Sequence, residues 1–300
     1  MTTRSCPGSI DAPTLSNASQ ADLERALSEL GGSDPLPIVV ATDAYARLLD
    51  NWICHVEALG IERYLIVALD QRLKDRLSAA GIGAARCDWD GTFPDFMLQR
   101  VLVWEFLARY GVDFIQTDMD AIWLRNPIPE FFAHSKFDVL GSEGTFHPVG
   151  MLARWGFVLC TGFFHTRPTT GTKKLLSAMR SRGDRVLATD CQYALNFMLD
   201  ELGTTWDGAG LQSSRLTFRG YDFTCYDGTL PGTCDALGLS IGMLPHQLFQ
   251  RATNLDPVSF VKHVQRTKDP AQRIAAMRAA GCWILDRVPG RLAAPPGPFG

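Results

Sequence analysis

Short apolar segments alternate with amphipathic segments along the first 120 residues, and this alternation limits the possible folds. Residues 37–42, 63–70 and 112–117 are typical of buried strands, and residues 85–89 form a weak third strand between the last two. Helical patterns lie between them, and the clearest, at residues 43–59 and 96–110, place apolar residues three and four positions apart. Strands and helices in this order favour a largely parallel sheet with right-handed crossovers.

The second half of the chain mixes the two kinds of pattern. Strand patterns occupy residues 137–141, 155–167, 215–218, 240–244 and 259–264, and helical patterns occupy residues 168–182, 189–202 and 270–280. We predict an N-terminal arm with a short helix over residues 1–36, one α/β domain over residues 37–285 and a flexible tail over residues 286–300. A chain of 300 residues can bury a substantial core in such a domain.

Composition argues against several classes of function. The net charge of -3 gives no bulk attraction to nucleic acid or to an anionic membrane. The sequence has no apolar run of about 18 residues that predicts a transmembrane helix, and the first residues lack the apolar region of a secretory signal. The eight cysteines show no spacing suited to zinc. We therefore expect a soluble, cytoplasmic protein without a nucleic-acid partner or an integral membrane segment.

Polar side chains follow the predicted strands at the points where they end. Thr42 and Asp43 follow the first strand, Asp70 follows the second, and Asp118 and Asp120 follow the fourth. In open parallel sheets, ligands bind beyond the carboxyl ends of the strands. Two carboxylates at such a position can hold Mg²⁺ or Mn²⁺. That cation can bind a diphosphate and neutralise charge on a leaving group.

A second Asp-x-Asp pair, Asp88 and Asp90 in the segment DWDGT, has a different possible function. The segment resembles the nucleophile loop of haloacid-dehalogenase-type phosphatases, in which Asp88 would attack phosphorus and Asp90 would act as acid and base. The preceding GAARC is a poor apolar strand, and Asp184 and Asp190 have the wrong spacing for a later metal motif. A polar turn is the simpler interpretation, and the phosphatase stays an alternative.

Several segments, in order, resemble a known family. VVATDAYARLLDNW and YLIVALD are similar to its first two strands and first helix, and TDMDAIWLRNPIPEFF is similar to its signature, a DxD followed by Trp and an Asn-Pro turn. CTGFFHTRPTTGTKKLL and TDCQYALNFML resemble a later strand and an Asp-Gln-Asn helix start, although Cys191 separates Asp190 from Gln192. The family is that of the nucleotide-diphospho-sugar transferases, grouped with glycosyltransferase family 77. The resemblance covers about residues 37–281.

The resemblance implies an α/β protein of the GT-A (Rossmann-like) fold, with a mixed, mostly parallel sheet flanked by helices. It also implies a retaining glycosyltransferase that uses Mn²⁺ or Mg²⁺ to transfer sugar from a UDP-linked donor and form an α-linkage. Asp120 would bind the metal, Asp118 the metal or the donor ribose, His263 would be a third ligand, and Lys268 would contact the diphosphate. A catalytically inactive relative that only binds nucleotide sugar is a further alternative.

The same resemblance implies further contacts with the donor. Thr42 and Asp43 would lie beside the nucleotide. Asp70 would face the base or ribose, with a helix N-cap as its competing role. Arg100 would bind a phosphate through its forked guanidinium, unless it is an ordinary exposed helix residue. From residue 262 to residue 291 basic residues outnumber acidic ones, which indicates either a solvated helix face or a segment facing an anion.

Two residues are the candidates for catalysis. Asp190 would lie at the β-face of the sugar, as a nucleophile or beside a front-face attack, and capping a helix is its competing role. Gln192 would orient the sugar. The acceptor stays open between a glycan, a lipid, a protein and a small molecule. Eukaryotic relatives with N-terminal anchors predict the Golgi lumen as the alternative compartment, if such an anchor has been removed.

Overall fold

The structure is a computed structural model that describes residues 12–251, 258–264 and 269–292. Its helices are α1 (Asn17–Leu30), α2 (Ala46–Ala58), α3 (Gln71–Ala79), α4 (Phe93–Tyr110), α5 (Ile128–Ala133), α6 (Val149–Trp155), α7 (Thr170–Ser181), α8 (Gly183–Ala188), α9 (Cys191–Glu201) and α10 (Pro270–Ala279). Its strands are β1 (Leu36–Ala41), β2 (Leu65–Ala68), β3 (Ala84–Arg86), β4 (Phe114–Thr117), β5 (Ala121–Trp123), β6 (Val139–Glu143), β7 (Leu159–Thr166), β8 (Thr205–Trp206), β9 (Ser213–Phe218), β10 (Tyr221–Tyr226), β11 (Leu230–Cys234), β12 (Leu239–Met243), β13 (Phe249–Arg251) and β14 (Val261–His263).

A nine-stranded sheet forms the centre of the molecule, in the order β3-β2-β1-β4-β7-β6-β12-β11-β8. The pairings from β3 to β4 are parallel, as is the pairing of β6 with β12. Strands β7 and β11 are antiparallel to both of their neighbours, so seven of these nine strands run in one direction. The mixed, mostly parallel sheet predicted from the sequence is confirmed.

Helices cover both faces of this sheet. On one face, α4 packs against α7, α8 and α9, and the ring of Trp104 meets that of Phe164 edge to face with 4.9 Å between centroids. On the other face, Trp52 of α2 meets Trp123 of β5 in the same way at 6.1 Å. Every residue of β1, β2 and β4 is buried. Continuous burial of this kind is what strands covered on both faces require.

Helix α4 begins earlier than the apolar pattern predicts. Thr92 is its N-cap, and its side chain accepts a hydrogen bond from the backbone N–H of Asp95, so the helix starts at Phe93 instead of Phe96. It ends at Gly111, whose φ of 89° lies in the left-handed region that favours glycine. This long buried helix carries Arg100 under the carboxyl ends of the strands.

Both ends of the described chain pack onto the domain. Leu23 of α1 is fully buried in the core. The buried carboxylate of Asp50 in α2 accepts hydrogen bonds from the backbone N–H groups of Arg291 and Leu292, at 2.6 and 3.1 Å. The division into arm, domain and tail stays a prediction. In the part of the chain that the structure describes, no helix is long and apolar enough to cross a membrane.

Candidate active site

The acidic pair lies at the carboxyl end of β4, next to β7. The backbone N–H of Asp118 donates to the carbonyl of Gly162 at 2.6 Å, which fixes the pair against the neighbouring strand. The Asp118 side chain is 31% exposed, whereas that of Asp120 is 3% exposed. Strand β5 follows at once and ends at the fully buried Trp123, so the chain turns straight back into the core. A carboxylate as buried as Asp120 needs a positive partner.

A small sheet brings that partner from the C-terminal part of the chain. Its order is β13-β14-β5, and in the antiparallel pairing of β14 with β5 His263 stands opposite Ala121. The backbone N–H of Val264 donates to the carbonyl of Asp120 at 2.8 Å. As a result, the His263 Nε2 lies 3.3 Å from the Oδ1 of Asp120 and 3.8 Å from the Oδ2 of Asp118.

These three side chains fit a divalent cation. Their ligand atoms all lie within 4.8 Å of one another. The Oδ1 of Asp120 is buried and makes no hydrogen bond among the described residues, although it lies 3.3 Å from the Nε2 of His263. Two carboxylate oxygens and an imidazole nitrogen suit Mn²⁺, and Mg²⁺ when oxygen ligands dominate. The three residues predicted as metal ligands are therefore brought together, although their role stays a prediction.

Three arginines surround the acidic pair and line the same cavity, which has a volume of about 260 Å³. The Nη2 of Arg100 lies 2.9 Å from the Oδ1 of Asp118 and also donates to the carbonyl of Thr161. The Nη1 of Arg273 lies 3.3 Å from the Oδ2 of Asp120. Arg251, at the end of β13, is the third. Guanidinium groups in this number give the cavity the charge and the donors that bind phosphate.

The pKa values in this cluster show how strongly its charges interact. Burial opposes ionisation of Asp120, but Arg273 and His263 hold the pKa of its carboxyl well below the usual range. Burial and Arg251 act to lower the pKa of His263, yet the Cys160 sulfur and Asp120 outweigh them and raise it to about 9. These neighbours favour the charged imidazolium form of His263, and binding of a metal ion to its nitrogen would compete with that proton.

Asp190 and Gln192 lie on another wall of this cavity. One carboxylate oxygen of Asp190 caps α9 by accepting from the backbone N–H of Tyr193 at 2.7 Å, and the other lies 2.9 Å from the Nε2 of His147. Gln192 donates to the carbonyl of His147, and its Oε1 accepts from the backbone N–H of Thr161 at 3.3 Å. The structure thus shows a capping role for Asp190 together with a position in the cavity wall.

Cys191 is the residue that separates Asp190 from Gln192, and its position shows how this departure from the family pattern is accommodated. Cys191 is buried, and its sulfur contacts the Sδ of Met97 at 3.5 Å and the Oγ1 of Thr161 at 3.4 Å. Cys191 lines the cavity together with its neighbours on both sides, Asp190 and Gln192. The departure from the family's Asp-Gln spacing therefore does not move either residue out of the site.

The other predicted nucleotide contacts form a separate polar group. The Asp70 carboxylate caps α3 and accepts from the backbone N–H of Asp43 at 2.8 Å, while Asp43 pairs with Arg76 at 2.8 Å. Thr42 is buried just before Asp43. The described residues that line the cavity do not include these, although Tyr45 from the same turn does line it. The predicted contacts of Thr42, Asp43 and Asp70 with the nucleotide stay predictions.

Two further sequence predictions lie away from the cavity. Asp88 is exposed and accepts hydrogen bonds from Ser16 and Ser19 in α1 and its cap, and Asp90 accepts from the backbone N–H of Thr92 at 2.7 Å. Both carboxylates thus hold a turn, which agrees with the simpler interpretation of DWDGT. Lys268, predicted on the diphosphate, lies outside the described residues.

Comparisons with known proteins identify the family of this chain. The profile of a family described as nucleotide-diphospho-sugar transferase matches residues 59–286. The curated protein Arabinosyltransferase XEG113 of Arabidopsis thaliana is 25% identical over 206 residues, a match that covers 63% of this chain and 31% of that protein. This chain therefore matches about a third of the length of that plant relative.

Two solved structures complete the comparisons. The galactosyltransferase LgtC in complex with donor and acceptor sugar analogues is 12% identical, with a TM-score of 0.48 over 87% of this chain and 97% of that one. The glycosyltransferase GlyE of Streptococcus pneumoniae is also 12% identical, with a TM-score of 0.39 over 56% of this chain and 43% of that one.

Proposed function

We propose that this chain, which belongs to the nucleotide-diphospho-sugar transferase family, is a metal-dependent, retaining enzyme that transfers sugar from a UDP-linked donor and forms an α-linkage. It is a glycosyltransferase, and its mixed α/β sheet is the GT-A-type fold expected from the sequence. One observation carries the proposal beyond the family. Asp118, Asp120 and His263 meet within 4.8 Å in a cavity that three arginines also line.

The donor end of the reaction follows from the charges in this cavity. A bound Mn²⁺ or Mg²⁺ would hold the two phosphates and neutralise the charge that develops on the leaving UDP. Asp120 and His263 would hold the ion, and Asp118 would hold the ion or the ribose. Arg100, anchored by Asp118 and the Thr161 carbonyl, would donate to a phosphate oxygen.

The sugar end of the reaction follows from the other wall. Asp190 is held by the N-terminus of α9 and by His147, so its carboxylate keeps a fixed orientation. In a double displacement, this carboxylate attacks the anomeric carbon as UDP leaves, and the acceptor oxygen then displaces the carboxylate while its proton passes to the departed diphosphate. In a front-face reaction the departing phosphate takes the acceptor proton, and Asp190 stabilises the positive charge on the sugar. Gln192 orients the sugar in both routes.

The plant relative's name makes a pentose the first donor sugar to test. That protein is named an arabinosyltransferase, and its match with this chain is 25% identical. We therefore propose UDP-arabinose as the first donor, followed by UDP-xylose and UDP-galactose. The acceptor is left to a subsequent screen of glycans, lipids, proteins and small molecules.

Calorimetric titration of UDP into the protein tests the metal-dependent site. We expect binding in the presence of Mn²⁺ and at least about ten-fold weaker binding with EDTA, because the ion links protein to diphosphate. Asp120→Ala should weaken binding to the same extent. Asp88→Ala is the matched control, since it removes an exposed Asp from the rival pair, and it should bind UDP like the wild type.

Two results would overturn this proposal. UDP binding that is equally tight with Mn²⁺ and with EDTA would mean that no metal ion takes part in binding UDP. Phosphate-ester hydrolysis that is lost in Asp88→Ala and retained in Asp120→Ala would instead support the phosphatase alternative. Sugar transfer is measured separately, and only with variants whose thermal midpoint equals that of the wild type, so that loss of transfer does not reflect unfolding.

A further inference from the structure

A second group of metal-ligating side chains lies apart from the cavity described above. Glu143 at the end of β6, Cys225 on β10 and His246 after β12 are all buried. Their ligand atoms lie within 4.8 Å of one another, although the residues are 82 and 21 positions apart in the sequence. None of them takes part in the proposed sugar transfer.

The spacing within this group is that of ligands around a zinc ion. The Oε2 of Glu143 lies 3.2 Å from the Cys225 sulfur and 3.2 Å from the Nδ1 of His246. Zinc bonds of the usual lengths in a tetrahedral arrangement separate neighbouring ligand atoms by roughly 3.4–3.6 Å. The two separations from the Glu143 oxygen are therefore within a few tenths of an ångström of those around such an ion, and the sulfur and the His246 nitrogen lie within 4.8 Å of each other.

Several polar atoms here are buried without a hydrogen bond. Within the described ranges, these are both ring nitrogens of His246 and the Oε1 of Glu143. The Oε1 of Gln250, a residue that lines the adjoining cavity with Cys225 and His246, is in the same condition. Native proteins rarely bury so many unpaired polar atoms in one place, because each loses its hydration. A bound cation would give the Nδ1 of His246 a partner, and the Oε1 of Gln250 as well where that oxygen is the fourth ligand.

We propose that Glu143, Cys225 and His246 bind a zinc ion, separate from the ion proposed at the acidic pair. A thiolate with an imidazole and a carboxylate selects Zn²⁺ over Mg²⁺ and Ca²⁺, which prefer oxygen ligands. The adjoining cavity, of about 370 Å³, reaches Cys225 and His246 and leaves room for a water molecule or the Gln250 oxygen as fourth ligand.

The ion stabilises the hairpin formed by β9 and β10. Within the described ranges its two strands form a sheet of their own, and most of its residues are exposed or half-buried. Besides the packing of Phe223 and Cys225 on α6, the bond from the Thr224 N–H to the Gly156 carbonyl at 2.7 Å joins it to the domain. A two-stranded hairpin contributes little stability of its own in water. Zinc would link Cys225 in the hairpin to Glu143 in the central sheet. Glu143 also begins the loop that carries His147 to Asp190, so the ion would fix both the hairpin and this loop.

Cobalt substitution tests the proposal. The full chain, stripped of metal with a chelator, is titrated with Co²⁺ and followed by absorption. We expect a thiolate-to-cobalt charge-transfer band that saturates at one Co²⁺ per chain in Asp120→Ala and that Zn²⁺ then displaces. Cys225→Ser should lose this band. Cys234→Ser, which changes another buried cysteine, and Asp120→Ala, which disables the first site, should both retain it.

The wild-type protein decides the question even if a variant fails to fold. Zinc at one equivalent per chain in the purified protein, together with a fall in thermal midpoint on chelation and recovery with Zn²⁺, is the second expected result. A wild type that shows no thiolate band in excess Co²⁺ would overturn the proposal, and the three residues would then be a buried hydrogen-bonded group. A band that persists in Cys225→Ser would also overturn it. Because Asp120→Ala is measured in parallel, failure here is distinct from failure of the proposed sugar transfer.

Discussion

At the scale of single residues, Gly162 controls how closely the acidic pair and His263 approach each other. A Cβ at this position would lie 2.4 Å from the Cε1 of His263 and 2.5 Å from the Oδ2 of Asp118. We expect Gly162→Ala to lower the free energy of unfolding by about 1–3 kcal/mol through overpacking. It should also weaken Mn²⁺-dependent UDP binding at least about ten-fold, because it moves two of the three metal ligands.

Urea unfolding and UDP titration measure the two effects. Gly83→Ala is the control, because a Cβ there meets nothing within 4 Å and the backbone is not in the left-handed region. The control should keep wild-type affinity. Wild-type UDP affinity in Gly162→Ala would mean that Asp118 and His263 do not act as ligands together.

The residues of the cavity differ in how far the sequence predicts them. Asp118 and Asp120 could be predicted because two acids directly after an apolar strand are costly unless they bind something. His263 required the family resemblance, since a single histidine carries no spacing signal. The sequence did not predict Arg251 or Arg273 as site residues. For Arg273, the excess of basic residues from 262 to 291 did indicate a segment that could face an anion. An isolated arginine has the same local pattern whether it faces solvent or a phosphate.

At the scale of secondary-structure elements, the N-terminus of α9 combines stability with the proposed chemistry. Asp190 caps this helix and lines the cavity, and Asn is as good an N-cap as Asp. We expect Asp190→Asn to keep the free energy of unfolding within about 0.5 kcal/mol of wild type. Its sugar transfer should fall at least about 100-fold, because the amide carries no negative charge for the sugar.

Two further variants separate the roles of this position. Asp190→Ala should lose the transfer and also about 1 kcal/mol of stability. Thr169→Ala removes the comparable cap of α7 and should lose stability alone, since the Thr169 hydroxyl accepts from the backbone N–H of Thr172 and donates to the Thr172 hydroxyl, away from the cavity. Turnover and urea unfolding are measured on all three variants. If Asp190→Asn transfers sugar at the wild-type rate, Asp190 is only a helix cap.

The elements that complete the site were harder to predict than those that support it. The strands β1, β2 and β4 follow from long apolar runs, and α2 and α4 from helical spacing. Strands β5, β13 and β14 contain three residues each, too few for an alternating pattern. The pairing of β5 with β14 also joins segments about 140 residues apart, and only tertiary packing determines it.

At the scale of the whole molecule, segments far apart in the sequence meet to form the site. The acidic pair follows the fourth strand, whereas His263 and Arg273 come from the last part of the chain. The predicted family is confirmed, and so is the sheet. The docking of the C-terminal segment, residues 281–292, was not predicted, because it depends on side chains of α2 that read in the sequence as ordinary helix residues.

Asn51 provides the central link in that docking. It is fully buried, its Nδ2 donates to the carbonyl of Cys282 at 3.0 Å, and its Oδ1 accepts from the backbone N–H of Ile284 at 2.8 Å. Asn51→Ala leaves both backbone groups without these partners, so we expect the free energy of unfolding to fall by about 2–3 kcal/mol. Hydrogen exchange should rise in residues 281–292 and in the adjacent helix α10.

The same variant also reports on the site, because α10 carries Arg273 to Asp120. A looser α10 should weaken UDP binding in Mn²⁺ while leaving the β1–β4 part of the sheet protected from exchange. Asn17→Ala is the control, since Asn17 is exposed at the start of α1, and it should change neither quantity. Unchanged exchange of α10 in a destabilised Asn51→Ala would mean that the C-terminal segment unfolds only with the whole domain, and that its docking does not separately position Arg273.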